Sequence, residues 1–154
     1  MAPIRLLLVD DEQGFVEALT RRLVRRDYQA AYVLSGEEAL RFLDEDRSTD
    51  VVLLDVKMPG LDGLETLRRI KTMHPLVETI MLTAHATIGT AVEAMRIGAR
   101  DYLMKPCEFV ELTAKVEAAA RRKRDREGKI LDVRSRPYIT VYEKEELIAA
   151  ILAS

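Results

Sequence analysis

The sequence predicts a doubly wound α/β domain, on three observations. Five short apolar runs recur along the chain, too short for helices and too uniformly apolar for strands with one wet face. Segments of helical period separate them, and this alternation makes a parallel sheet with right-handed crossovers and helices on both faces. Acids, a hydroxyl and a lysine stand at the ends of the runs, at the edge where open α/β sheets bind ligands.

Ile4 to Val9 is the first buried strand, ended by Asp10-Asp11-Glu12. It is too short for a secretory leader and lacks a small-residue cleavage site. A helix follows from about Glu12 to Arg26, with Phe15, Leu19 and Leu23 on one face and arginines on the other. Gln29 to Leu34 is the second strand. Ser35-Gly36-Glu37-Glu38 reads as a capping box opening a helix to about Asp44, with Ala39, Phe42 and Leu43 inward. Asp50 to Val56 is the third strand, stopped by Met58-Pro59-Gly60. Asp62-Gly63 starts a helix through Met73, with Leu64, Leu67 and Ile70 inward and His74 at its terminus. Thr79 to Ala84 is the fourth strand. The helix from Thr87 to Ile97 is expected to face inward through Ile88, Val92 and Met95, and Gly98 stops it. Asp101 to Lys105 is the fifth strand, cut by Pro106. A last long helix starts near Glu108, buries Phe109, Leu112 and Val116, and runs past Arg121. The natural strand order is the flavodoxin-like 2-1-3-4-5, with strands 1 and 3 adjacent at the switch point.

From about Gly128 the helical period is lost, and Glu143 to Leu152 reads as a short amphipathic helix with Leu147, Ile148, Ile151 and Leu152 on one side. The expected division is a domain over residues 3–122 and an extension over 123–154, whose apolar face suggests docking or homodimer formation. The run Arg121-Arg122-Lys123-Arg124-Asp125-Arg126 reads as a solvated helix end: acids interrupt it and no aromatics interleave.

The 154 residues, 48% hydrophobic and 32% charged, describe one globular domain with a real core. A net charge of −2 gives no global pull toward nucleic acid or anionic membrane. No apolar run approaches the roughly 18 residues of a membrane span. The single cysteine, Cys107, excludes an internal disulfide and fits a reducing compartment. It reads as inert packing at the start of the last helix, and the expected location is the cytoplasm.

The strand exits bring together Asp10 and Asp11, Asp55, Thr83 and Lys105 on one edge. Clustered carboxylates repel one another unless a cation compensates. Hard oxygen ligands without a His/Cys set suit Mg²⁺ or Mn²⁺. A lysine facing the metal is useful when an anion with several oxygens, such as a phosphoryl group, sits between them.

The pieces Val9-Asp10-Asp11-Glu12, Leu54-Asp55-Val56-Lys57-Met58-Pro59-Gly60-Leu61-Asp62-Gly63, Leu82-Thr83-Ala84 and Asp101-Tyr102-Leu103-Met104-Lys105-Pro106 occur in order and fit one sheet. Over about residues 3–122 the chain resembles the receiver domains of two-component response regulators. The resemblance implies that Asp55 accepts a phosphoryl group from a sensor histidine kinase or phosphotransfer protein. Asp11, Asp55 and the Lys57 carbonyl would bind Mg²⁺, with Asp10 acting through water. Lys105 would pair with the phosphoryl oxygens. Thr83 would donate its hydroxyl to them, Tyr102 would turn inward, and the face of helix 4, strand 5 and helix 5 would change for a downstream protein. Lys57 and His85 stand where the family tunes the lifetime of the acyl phosphate; the sign at Lys57 is open, and His85 reads more readily as a loop histidine than as a base. Tyr102 is also readable as a half-buried strand aromatic.

In this reading the chain is a stand-alone or excised receiver without a DNA-binding domain, and it turns over no separate substrate. Three other readings compete. A phosphohydrolase would need an acid where Lys57 stands, and a silent interaction module has no use for clustered acids. A flavodoxin-like cofactor binder would need a phosphate loop after strand 1, where acids stand instead.

Overall fold

A computed structural model of the protein describes residues 2–154. Five parallel strands, β1 (Arg5–Val9), β2 (Gln29–Val33), β3 (Val51–Leu54), β4 (Glu78–Thr83) and β5 (Asp101–Met104), form one sheet in the order β2-β1-β3-β4-β5. Between them lie α1 (Gln13–Arg25), α2 (Gly36–Glu45), α3 (Gly63–Met73) and α4 (Ile88–Ile97), and after β5 come α5 (Phe109–Ser135) and α6 (Val141–Ala153). The expected strand order is the observed one.

Alternate side chains of each strand feed opposite cores, as a strand's period of two requires. Leu6, Leu8, Val51, Leu53, Ile80, Leu82 and Leu103 pack with Val16 and Leu23 of α1 and Leu112 and Val116 of α5. Leu7, Val9, Val52, Leu54 and Met81 pack with Ala39, Leu43, Leu67, Ile70 and Ala94 of α2, α3 and α4. The result is three layers.

Helix starts are fixed by side chains that satisfy free amides. Ser35 accepts the Glu38 amide at 3.2 Å, although Glu38 reaches back to the Leu34 amide and not to that of Ser35. Asp62 accepts the Glu65 amide and Thr140 that of Glu143. His74 ends α3, buried, with Nε2 at 2.9 Å from Asp44 Oδ1.

Two further expectations are corrected. The first concerns the inward face of α4. Ile88 is 86% exposed, Val92 and Met95 are also exposed, and the helix packs inward through Ala94 with Ile97 beside it. Small residues let the helix lie close to the sheet while its large apolar side chains face out.

The second concerns residues 121–135. The region expected to be a solvated helix end and an irregular segment is one unbroken continuation of α5, and Lys123, Arg126, Ile130 and Val133 are buried along it. Its cations are inward because acids at the N-terminal edge of the sheet receive them. Glu78, 1% exposed, accepts from Arg122 and from Arg126 (2.8 Å). Asp50, before β3, pairs with Lys123 (3.2 Å) and Arg124 (3.0 Å).

Pro137 follows the end of α5, as is common after a helix C-terminus. Hydrogen bonds pair Arg126 with the Ile151 and Leu152 carbonyls, and Lys144 with the Arg134 carbonyl, so α6 runs back antiparallel on α5. The Arg126 guanidinium thus meets the last carbonyls of α6, where the helix dipole is negative, and that of Arg122 meets the Ser154 oxygen just beyond it. Within the single chain the extension docks on α5. Among the described residues no helix is long and apolar enough to cross a membrane.

Candidate functional site

The site is built by the ladder running one residue past each strand. Val9 pairs with Leu54, so Asp10 and Asp55 leave the sheet side by side, and the Asp55 amide still donates to the Val9 carbonyl at 3.0 Å. The Lys105 amide likewise donates to the Thr83 carbonyl at 2.8 Å. These side chains lie outside the strands on backbone that the sheet holds.

Carboxylate oxygens of Asp10, Asp11 and Asp55 come within 4.8 Å of one another. Asp10 and Asp55 are buried and Asp11 is exposed. Lys105 Nζ lies 2.6 Å from Asp10 Oδ2 and 3.9 Å from the centroid of the Phe15 ring. The other Asp10 oxygen accepts the Glu12 amide at 2.9 Å. Asp55 Oδ1 is buried with no partner among the described residues. Burial pushes the Asp55 carboxyl above its ordinary value; the Thr83 hydroxyl pulls it back, the Asp10 charge raises it, and Lys105 and the Val56 amide lower it.

The cluster opens on a cleft of about 650 Å³ at the strand exits. Lys57 and His85 line it from two loops, both exposed, with Met58, Pro59 and Asp62 beside Lys57. Thr83 is fully buried, and its oxygen accepts the His85 amide at 3.0 Å. Tyr102 stands apart from the cleft, half-buried, with its hydroxyl 2.7 Å from Thr90 Oγ1. The Lys105–Pro106 bond is cis. Cys107 is a half-buried free thiol that burial pushes up, which keeps it protonated and unreactive.

Three contributors carry no local sequence signal. Phe15, read only as a core residue, is the platform beneath Lys105. Gly63 lets α3 start against the site: its amide donates to the Val56 carbonyl at 2.8 Å, and a Cβ there would lie 1.9 Å from the Asp55 carbonyl oxygen. Thr90 holds Tyr102. A helix position three residues after a threonine cap gives no hint of that contact.

Three converging carboxylates, one with an orphan buried oxygen, and no histidine or cysteine among them fit a hard cation such as Mg²⁺. The open cleft leaves room for waters and for an anion opposite Lys105. The arrangement offers a carboxylate oxygen as nucleophile, a cation site next to it, and a hydroxyl and an ammonium for the incoming oxygens.

A family model for the response regulator receiver domain matches residues 6–117. The transcriptional regulatory protein ZraR of Escherichia coli O157:H7 is 40% identical over 116 residues, 75% of this chain and 26% of ZraR. The response regulator MprA of Mycolicibacterium vanbaalenii is 39% identical over 120 residues, 78% of this chain and 52% of MprA. The chain therefore spans between about a quarter and about half of the length of these curated relatives. A response regulator receiver domain protein of Clostridium thermocellum superposes with a TM-score of 0.75 at 34% identity, over 79% of this chain and 97% of that one. With the strand order, the acid cluster and this match in agreement, the chain belongs to the response regulator receiver domain family.

Proposed function

We propose that the chain is a phosphoacceptor of a two-component phosphorelay, taking a phosphoryl group onto Asp55 from a histidine kinase or phosphotransfer protein. Receiver domains act between histidine kinases and downstream targets and bind Mg²⁺ at an acidic pocket. The observation that carries the proposal is the placement of Asp55: its Oδ1 is buried and unpartnered at the point where Asp10, Asp11 and Lys105 converge.

In this reading Asp55 Oδ1 bonds to phosphorus as the bond from phosphorus to a donor histidine nitrogen breaks, and that nitrogen takes a proton. Asp11, Asp55 and the Lys57 carbonyl would hold Mg²⁺, or Mn²⁺ in its place, with Asp10 contributing through water. When bound, the ion offsets negative charge on the phosphoryl oxygens. Lys105 exchanges part of its contact with Asp10 for a phosphoryl oxygen. The Thr83 oxygen accepts the His85 amide, and its hydroxyl, which lowers the Asp55 carboxyl, is placed to donate to a phosphoryl oxygen on Asp55. Lys57 and His85, both at the cleft, set water access to the acyl phosphate. No separate substrate is turned over.

The proposed output is a protein contact through α4, β5 and α5, made in the cytoplasm and without nucleic acid or membrane. Exposed Ile88, Val92 and Met95 of α4, Met104 of β5 and Val110 of α5 support such a face. Residues 3–122 carry the chemistry, and residues 123–154 extend the domain at its other end.

The test is intact mass after incubation with a small-molecule phosphodonor, with and without Mg²⁺. A gain of one phosphoryl group is expected with Mg²⁺ in the wild type and not in Asp55→Asn. An adduct that persists in Asp55→Asn, or steady phosphate release with rapid turnover, overturns the proposal.

A further inference from the structure

The β4–α4 loop, residues 84–87, is pinned at both ends by threonine hydroxyls. At its start Thr83 Oγ1 accepts the His85 amide at 3.0 Å. At its end Thr87 and Thr90 cap α4 reciprocally: Thr87 Oγ1 accepts the Thr90 amide at 3.0 Å, and Thr90 Oγ1 accepts the Thr87 amide at 3.1 Å. Thr90 does more than cap. Its hydroxyl also lies 3.1 Å from the Thr87 carbonyl and 2.7 Å from the Tyr102 hydroxyl.

A hydroxyl has one proton to donate and two lone pairs to fill. The Thr87 amide fills one lone pair of Thr90. The Thr87 carbonyl, which can only accept, and the Thr87 hydroxyl, 3.0 Å away, crowd the same Thr90 oxygen. The Tyr102 hydroxyl shares a hydrogen bond with it at 2.7 Å. Tyr102, half-buried on the face of the sheet that α4 covers, is thereby tied to the first turn of α4.

We propose that Thr90 is the latch of the switch: it holds Tyr102 to α4, so that release of Tyr102 and loosening of loop 84–87 are one event. The inference rests on the reading of Asp55 as phosphoacceptor. If Thr83 turns toward a phosphoryl group, the His85 amide loses its acceptor and the loop is free at its start. The Thr87–Thr90 cap then bears the change alone. Once that cap loosens, the first turn of α4 no longer holds the Thr90 hydroxyl against Tyr102. Run in reverse, an intact Thr90–Tyr102 bond resists the movement of Thr83. Thr90 is a positioning residue, since it touches neither the acid cluster nor the cleft.

The test uses the full chain and the variants Thr90→Val, Thr90→Ser, Tyr102→Phe and Thr90→Val/Tyr102→Phe. Two quantities are read: the initial rate of Mg²⁺-dependent phosphoryl uptake from acetyl phosphate, and the ring signals of ¹³C-labelled tyrosine with and without beryllofluoride. The chain has 5 tyrosines and no tryptophan, and the signal lost in Tyr102→Phe identifies Tyr102. Thr90→Val is expected to raise uptake about three- to ten-fold, the weight of one hydrogen bond. It also moves the Tyr102 ring signal toward its beryllofluoride-bound position before any beryllofluoride is added. Thr90→Ser, which keeps the hydroxyl, matches the wild type in both. Tyr102→Phe raises uptake as Thr90→Val does, and the double variant adds nothing further.

Unchanged or slower uptake in Thr90→Val overturns the latch. So do single-variant effects that multiply in the double. Absence of uptake in the wild type itself would overturn the phosphoacceptor reading instead; the ring signal would still report whether Thr90 holds Tyr102.

Discussion

Burial drives the Asp55 carboxyl upward, and although Thr83 and Lys105 oppose the shift, the net direction is up. A raised carboxyl binds its proton more tightly folded than unfolded, so the ionised form costs folding free energy. That cost is absent at pH below the ordinary carboxylate range and appears as pH rises through the folded value. Asp55→Asn removes the charge and keeps the shape. In chelator-treated protein it is expected to be more stable than the wild type by about 1 kcal/mol at neutral pH, with the gap closing in acid. Thermal melts from neutral to acid pH check this; a gap that widens in acid would mean that burial does not govern the group. At this scale Asp10, Asp11, Asp55 and Lys105 were legible because each sits at a strand exit, a place that the apolar runs mark. Gly63 was read as part of a helix start and as the end of the motif after the third strand, without a reason for glycine there. That reason, the Asp55 carbonyl occupying the place of a Cβ, arises from an approach between two elements that no local pattern encodes.

At the scale of elements, the strands were legible to within a residue or two because strands buried on both faces are apolar throughout. Reading α4 by its large apolar residues failed because the helix buries alanine and exposes isoleucine, valine and methionine. Reading α5 failed because two of its inward positions are Lys123 and Arg126, which break the apolar period. Their partners, Asp50 and Glu78, lie far away in sequence. A second tie of α5 is Tyr28, just before β2, whose hydroxyl donates to Glu117 at 3.2 Å. Burial first, and the Glu117 charge next, push this phenol from 10.0 up to about 12. The folded state therefore holds the proton that the unfolded chain releases, and the contribution of Tyr28 is full below about 10 and lost as pH rises through about 12. Titration by tyrosinate absorbance is expected to show a late step that Tyr28→Phe abolishes. A titration unaltered by that substitution would place Tyr28 in solvent.

For the whole molecule, the sheet separates two charged sites of opposite design. At the C-terminal ends of the strands, three acids converge with Lys105 on an open cleft, which leaves room for a ligand. At the N-terminal edge, Glu78 and Asp50 are met by four cations of α5, and two of these, Arg122 and Arg126, also hold the end of α6. Removing one partner from a buried ion pair leaves the other charge desolvated and costs about 3 kcal/mol or more. Arg126→Met takes one of two guanidiniums from Glu78 and also one from the Leu152 carbonyl; Arg122 still pairs with Glu78, so part of that loss is expected in urea unfolding, with early hydrogen exchange throughout α6. Because the network touches where β3 and β4 begin and the acid cluster sits where β3 ends, phosphoryl uptake by the folded variant should stay within about twofold of the wild type. Uptake that falls along with stability, measured where the variant is fully folded, would show instead that the extension communicates with the acid cluster through the sheet.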